Sequence, residues 1–321
     1  MVACLNMAPV SPTRGPIGAP NGCEAVWRLP GVALAGIVLV ALSGCASRPH
    51  QGDSSRVEAL RTDDGVQLVE GGAPILFYRS RPSSGREPWR THYVHPVYSI
   101  GGAVITEDAP ADHVHHRGIF WAWRRILVDG VKVADGWVGD NLVLELARPT
   151  VMSHEDGSAQ IGVQVRWVVP VDGRPTPIIE ETSSIRAYPA IDGRRRIEVL
   201  VGLRALRHGV ELAGTDDEKG YGGISLRVAN PQLAEIESDG RTLHATVAGM
   251  QTGDWVAFIW RTPPPPWPAR IAASCQVDGH AWTRWVLRQE PSMQNCAFPG
   301  AAPTAVPSDG VLSLELSLLV E

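Results

Sequence analysis

The chain has 321 residues, a net charge of −5 and 44% apolar content, enough for one large globular domain with a full core. No basic block occurs, so nucleic-acid binding has no electrostatic support. Tryptophan is abundant, 11 against 4 phenylalanines, and indole faces suit sugar rings as well as cores.

The N-terminal stretch reads as an export signal. Arg28 precedes an apolar run from Val32 to Leu42, at about 11 residues too short to span ~30 Å of bilayer as a helix. The run ends in Leu42-Ser43-Gly44-Cys45, the form of a bacterial lipobox. Lipidation is therefore expected at Cys45, with membrane attachment through the lipid. Ala46, rather than Asp, follows Cys45, which favours outer-membrane sorting, with the domain in the periplasm or at the cell surface. The expected layout is a signal peptide over 1–45, a small, polar tether over 46–62, and one domain over 63–321.

From Asp63 onward the pattern is β. Ile161, Val163, Val165 and Trp167 alternate with polar residues. Ile197, Val199, Val201 and Leu203 repeat this, and so do Leu312, Leu314, Leu316 and Leu318. Period-two alternation is what a half-buried antiparallel strand requires. Asp-Gly pairs, from Asp64-Gly65 to Asp309-Gly310, punctuate the runs as turn signals. No helical stripe occurs after the leader. The fold class is all-β, a large antiparallel β-sandwich. The run Pro263-Pro264-Pro265-Pro266, followed by Trp267, reads as a rigid loop. Cys275 and Cys296 are the only cysteines beyond the leader and Cys45; in an oxidising compartment they form a disulfide, with buried free thiols as the alternative.

The densest chemistry lies in Asp112-His113-Val114-His115-His116-Arg117-Gly118, followed by the apolar Ile119 to Trp123. In an extended chain, His113, His115 and Arg117 share one face, with Asp112 and His116 on the other. At most two of the three imidazoles would then meet a ligand together. His113, His115 and His116 are candidate acid–base groups because histidine titrates near neutral pH. Asp112, Arg117 and Trp121 are candidate substrate contacts, Arg117 as a planar fork for carboxylates or hydroxyls and Trp121 as an aromatic face. Gly118 permits close approach of a ligand or backbone.

A second polar stretch is Thr215-Asp216-Asp217-Glu218-Lys219-Gly220-Tyr221-Gly222-Gly223. Its functional reading is a site wall, with Glu218 as catalytic carboxylate and Asp216 and Lys219 binding substrate; the alternative is a solvated loop. Glu180-Glu181 reads as a solvent-facing pair. His92 and His95 could reach the same end of the sandwich.

These residues resemble the DUF6807 family, also labelled methane oxygenase PmoA-like. His115-His116-Arg117-Gly118 matches its HHRG signature, and Glu181-Thr182 to Ala187 is similar to its acid-bearing strand. Thr215 to Ala229 is similar to its DTKEGGFGLRVA segment, and Trp255 and the proline run with Trp267 resemble later motifs. The resemblance covers about residues 65 to 300. Two departures stand out: Asp135-Gly136-Trp137 lies where an Asn-Gly-x-Asp-Phe-Trp stretch is usual, and no His follows Trp267-Pro268. A membrane monooxygenase subunit needs apolar spans of about 20 residues, and the chain after the leader has none. The resemblance implies a galactose-mutarotase-like supersandwich and, by fold-level analogy, a carbohydrate ligand.

The leading expectation is an exported enzyme acting on a carbohydrate or sugar derivative as hydrolase, lyase or epimerase. One alternative is a non-catalytic glycan-binding lipoprotein. The other is a metal-dependent hydrolase using His113 and His115. No cofactor is required by any motif, and a divalent metal enters only in that last reading.

Overall fold

The computed structural model describes residues 56–82, 89–229, 234–261, 263, 266–290 and 292–321. The leader, Cys45, most of the expected tether, and Pro264 and Pro265 lie outside the described residues. The chain divides into Met1–Pro49 and His50–Glu321, and the described residues all lie in the second unit.

Every regular element among the described residues is a strand. They form a nine-stranded, an eleven-stranded and a four-stranded sheet, all antiparallel. The expected all-β sandwich is what these residues build. No helix among them is long and apolar enough to cross a membrane.

The alternating runs set the register. Ala159–Val171 pairs with Arg174–Ala187, which pairs with Arg195–Ala205, which pairs with Leu312–Val320. Along Ala159–Val171, Arg195–Ala205 and Leu312–Val320 buried residues alternate with less buried ones, and Arg174–Ala187 does so from Ile179 onward. The inward Ile161, Val199 and Leu316 join Leu68, Ile119 and Trp123 of the nine-stranded sheet in one hydrophobic cluster. Each such side chain contributes roughly 1.5–3 kcal/mol on leaving water. Asp129-Gly130, Asp172-Gly173, Asp192-Gly193, Asp239-Gly240 and Asp278-Gly279 have positive φ at both residues. That is the type I′ geometry whose twist suits hairpins.

The domain begins earlier than expected. Val57–Arg61 is not tether but an edge strand paired with Gly65–Glu70. Val57 is buried in the core and Ala59 packs against it, while Glu58 and Leu60 face out. Two small inward residues suffice because the sheet edge supplies the hydrogen bonds.

Cys275, in Arg270–Val277, and Cys296, in Ser292–Cys296, form a disulfide. The first strand belongs to the eleven-stranded sheet and the second to the nine-stranded sheet, so the bond staples the two layers.

The strand Ile119–Trp123 positions the functional residues. It lies within the nine-stranded sheet, between Tyr93–Val97 and Gly222–Leu226, and all five residues are buried. Ile119, Trp121 and Trp123 enter the core between the sheets. Phe120 and Ala122 point the other way, into a smaller cluster with Tyr93, Trp137 and Met293. One strand thus walls off two polar centres, one on each face.

Candidate functional site

The histidine stretch is not extended. His113 N donates to Pro110 O at 3.1 Å and His116 N to His113 O at 2.9 Å, folding the segment into successive turns. The strand starts only at Ile119. The expected division into two faces is therefore corrected: turns gather all three imidazoles. The His113 and His116 rings stack at 4.7 Å. His115 meets them edge-on at 5.6 and 4.8 Å. The buried Trp137 backs His115 and His116, with centroids at 6.5 and 6.0 Å.

Two buried arginines hold this arrangement. Arg227 follows the strand Gly222–Leu226 and is 5% exposed. Its Nη2 donates to both carboxylate oxygens of Asp112 at 2.9 Å, and its Nε to Glu107 at 2.8 Å. Its Nη1 donates to Ser292 O and lies 3.2 Å from His116 Nδ1. An arginine only donates, so His116 Nδ1 is the acceptor and the ring proton sits on Nε2. Arg90 donates to Val114 O, to Asp108 and, at 3.4 Å, to His116 O, pinning the turn through its backbone. Asp112 in turn accepts from His113 Nδ1 at 3.2 Å, which leaves His113 Nε2 as a free lone pair. The chain Glu107–Arg227–Asp112–His113 orients one half-exposed imidazole.

Burial lowers the pKa of His115 to about 4, with His113 and the arginines Arg124, Arg117 and Arg90 adding to the effect. Burial lowers His116 to about 2, helped by His115 and Arg227. Both rings are neutral at pH 7; His116, with Nδ1 engaged by Arg227, keeps no free lone pair, and His115 is the one left to accept a proton. For Asp112, burial pushes the pKa up, but hydrogen bonds from Arg227 and His113 outweigh it and hold the carboxyl below its ordinary value.

The buried neutral rings make the fold acid-sensitive. His95 is lowered to about 4, again chiefly by burial. In the unfolded chain His95 and His116 take up protons near 6.5. Unfolding therefore binds protons below that value, and stability falls as pH falls. The melting midpoint is expected to drop by roughly 5–10 °C between about pH 7.5 and 5. A flat profile over that window would contradict the neutral assignment.

Gly118 serves backbone packing rather than a ligand. Its φ is +45°, and a Cβ there would collide with Val94 O. Gly118→Ala should cost about 2–3 kcal/mol in urea unfolding; wild-type stability in that variant would refute the close approach.

The acidic loop lies elsewhere. Leu226 pairs with Ile119 near the histidines, whereas Gly222 pairs with Trp123. The loop before Gly222 thus sits at the far end of the strand pair, about 13 Å away at ~3.3 Å per residue. Asp216 is exposed and faces Arg125 at 3.6 Å. Lys219 pairs with Asp217 at 3.6 Å. The Glu218 side chain is exposed, and its carbonyl accepts from Arg284 at 3.0 Å. Asp217 organises the loop, accepting from Thr215 Oγ1 at 2.5 Å and Lys219 N at 3.1 Å. Only Tyr221 reaches toward the histidines, packing on Trp137 at 4.7 Å.

On the inner face of Ile119–Trp123 lies a second centre. Glu181 is fully buried, which corrects the expectation of a solvent-facing pair; Glu180 alone faces out. The Glu181 carboxylate accepts from His92 Nε2 at 2.6 Å, Trp121 Nε1 at 2.8 Å, Trp167 Nε1 at 2.8 Å and Ser183 Oγ. Tyr78 reaches His92 Nδ1 at 2.7 Å. Burial alone would raise the Glu181 pKa, but His92 and the hydrogen bonds hold it below the ordinary value. Tyr78 is pushed well up by burial and then by Glu181, so its hydroxyl keeps its proton. Trp121, expected to offer a ligand its face, is 5% exposed and spends its N–H here.

A family of unknown function, DUF6807, matches residues 65–321. The chain belongs to DUF6807. No curated protein and no solved structure matches it significantly.

Of the residues singled out in this DUF6807 chain, the fold brings together Asp112, His113, His115, His116 and Arg117. It places Asp216, Glu218 and Lys219 apart from them and turns Trp121 inward. Arg227, Arg90 and Trp137 were not singled out. Arg227 had a readable signal: a charge directly after the apolar Gly222–Leu226 must find a partner if buried. Among the described residues, no group of three or more His, Cys, Asp and Glu side chains is placed to hold a metal ion.

Proposed function

We propose that this protein is an exported lipoprotein, anchored through Cys45, that transforms a carbohydrate or sugar derivative by acid–base chemistry at the histidine cluster. The observation that carries the reading is the oriented pair Asp112–His113, held by buried Arg227 and stacked on neutral His116. His113 Nε2 is the base in this reading. His115, half-exposed and neutral, accepts or relays a second proton, and Tyr221 offers a protonated hydroxyl at the rim. Its pKa is raised, first by burial. The disulfide supports an oxidising compartment, in keeping with the lipobox.

The test is a panel of glycans incubated with purified protein and read by product chromatography. Turnover of one carbohydrate class is expected, falling on the order of 10²–10⁴-fold when His113 and His115 are both replaced by Ala. Unchanged turnover in that double variant sinks the assignment. Binding without consumption makes the protein a glycan-capture module instead.

A further inference from the structure

Beside the histidine cluster lies a cleft of about 560 Å³ lined by Trp89, Arg117, Thr91 and Leu142 among others. It shares Ser80 and Leu146 with a second cleft of about 460 Å³, lined by Arg61, Arg81 and Arg148, with Asp63 as its only acid. The two clefts adjoin through these residues, and among the described residues their linings carry four arginines against one carboxylate.

Arg117 is the unusual member. It is 4% exposed, yet no ion pair compensates it among the described residues. Its Nη1 donates weakly to His115 O at 3.3 Å, and its Nε has no partner. The guanidinium lies 5.0 Å from the Trp89 ring and 4.7 Å from Phe120. Among the described residues the nearby carboxylate, Asp108, is engaged by Arg90 and Tyr93. Burial and the neighbouring Arg90 lower its pKa to about 9, the sign of a cation in want of an anion. A buried unpaired cation is costly, and a ligand carboxylate would relieve that cost through a bidentate fork.

We infer that the groove binds an anionic oligosaccharide, with one carboxylate seated on Arg117 against Trp89 and further anionic groups along Arg61, Arg81 and Arg148. This deepens the reading of a carbohydrate ligand and rests on it. Trp89 supplies an aromatic wall for the sugar ring, and Arg117 links the groove to His115 through the carbonyl it contacts.

The experiment is calorimetric titration of the full-length protein with three tetrasaccharides: a uronate chain, its carboxyl-reduced neutral counterpart, and a sulfated neutral chain. The uronate chain is expected to bind, more weakly as salt rises, and the neutral chain is expected not to. Arg117→Gln should weaken binding on the order of 10- to 100-fold, the range for a charged hydrogen-bonded contact. Arg81→Gln with Arg148→Gln, both at exposed positions, should weaken it by roughly 3- to 10-fold. Equal binding of the neutral chain, or undiminished binding to folded Arg117→Gln, overturns the proposal. If Arg117→Gln does not fold, undiminished affinity in the Arg81/Arg148 double variant overturns it. Binding of the sulfated chain with the same arginine dependence supports the anion site and assigns sulfate esters as a source of charge. Turnover of a neutral sugar without uronate binding removes this inference and leaves the histidine chemistry. Uronate binding without turnover does the reverse.

Discussion

Glu181→Gln is expected to destabilise the domain by about 3–5 kcal/mol, the range for breaking a buried charged network. Four donors converge on this carboxylate: His92, Trp121, Trp167 and Ser183. The amide offers one acceptor oxygen and one donor group. In either flip the new N–H₂ opposes an indole or imidazole N–H in a site sealed from water. The melting midpoint should fall by roughly 6–15 °C. Near-ultraviolet circular dichroism should change as well, because Trp121 and Trp167 lose their fixed partner. A variant melting within about 1 °C of wild type would mean the network contributes little.

Arg227→Met is expected to lower activity strongly from outside the histidine cluster, a loss on the order of 10²-fold in kcat/KM under the acid–base reading. Removing the guanidinium releases Asp112 and leaves Glu107 without its cation. The Asp112 carboxyl should then titrate at higher pH, since burial already pushes it up and the hydrogen bond from Arg227 is the largest influence lowering it. The acid limb of the pH–rate profile should move upward accordingly. Stability should fall less than for Glu181, by about 1–3 kcal/mol, because Asp112 and Glu107 are 39% and 37% exposed and solvent screens them. Arg227→Lys keeps the charge but not the fork, so it should restore part of the stability and little of the activity. Full activity in Arg227→Met would show that the Asp112–His113 pair needs no anchor.

The alternation of Ile161 to Trp167 and of Leu312 to Leu318 determined strand and inward face by itself, because period two is a local property of the backbone. Five of the Asp-Gly pairs marked hairpins for the same reason, positive φ being favoured by those residue types alone, whereas Asp64-Gly65 and Asp309-Gly310 do not take that geometry. Cys275 and Cys296 could be paired by elimination, but that their bond joins the two sheets was a matter of topology.

The histidine stretch shows where local reading stops. Residue types located the cluster, and the extended-chain rule then split it wrongly between two faces. Arg90 pins the turn through Val114 O and His116 O, which lie 24 and 26 residues further along the chain, and no local window of sequence contains both sides of that contact. Glu181 was misread for a related reason. Paired acids at a strand usually face water, and only a fold that brings His92, Trp121 and Trp167 to one point could hold that charge inside. The sequence by itself determined the β pattern and which residues carry chemistry. The tertiary structure alone decided which of them meet, because the partners of a buried charge are set by long-range pairing and not by neighbours in the chain.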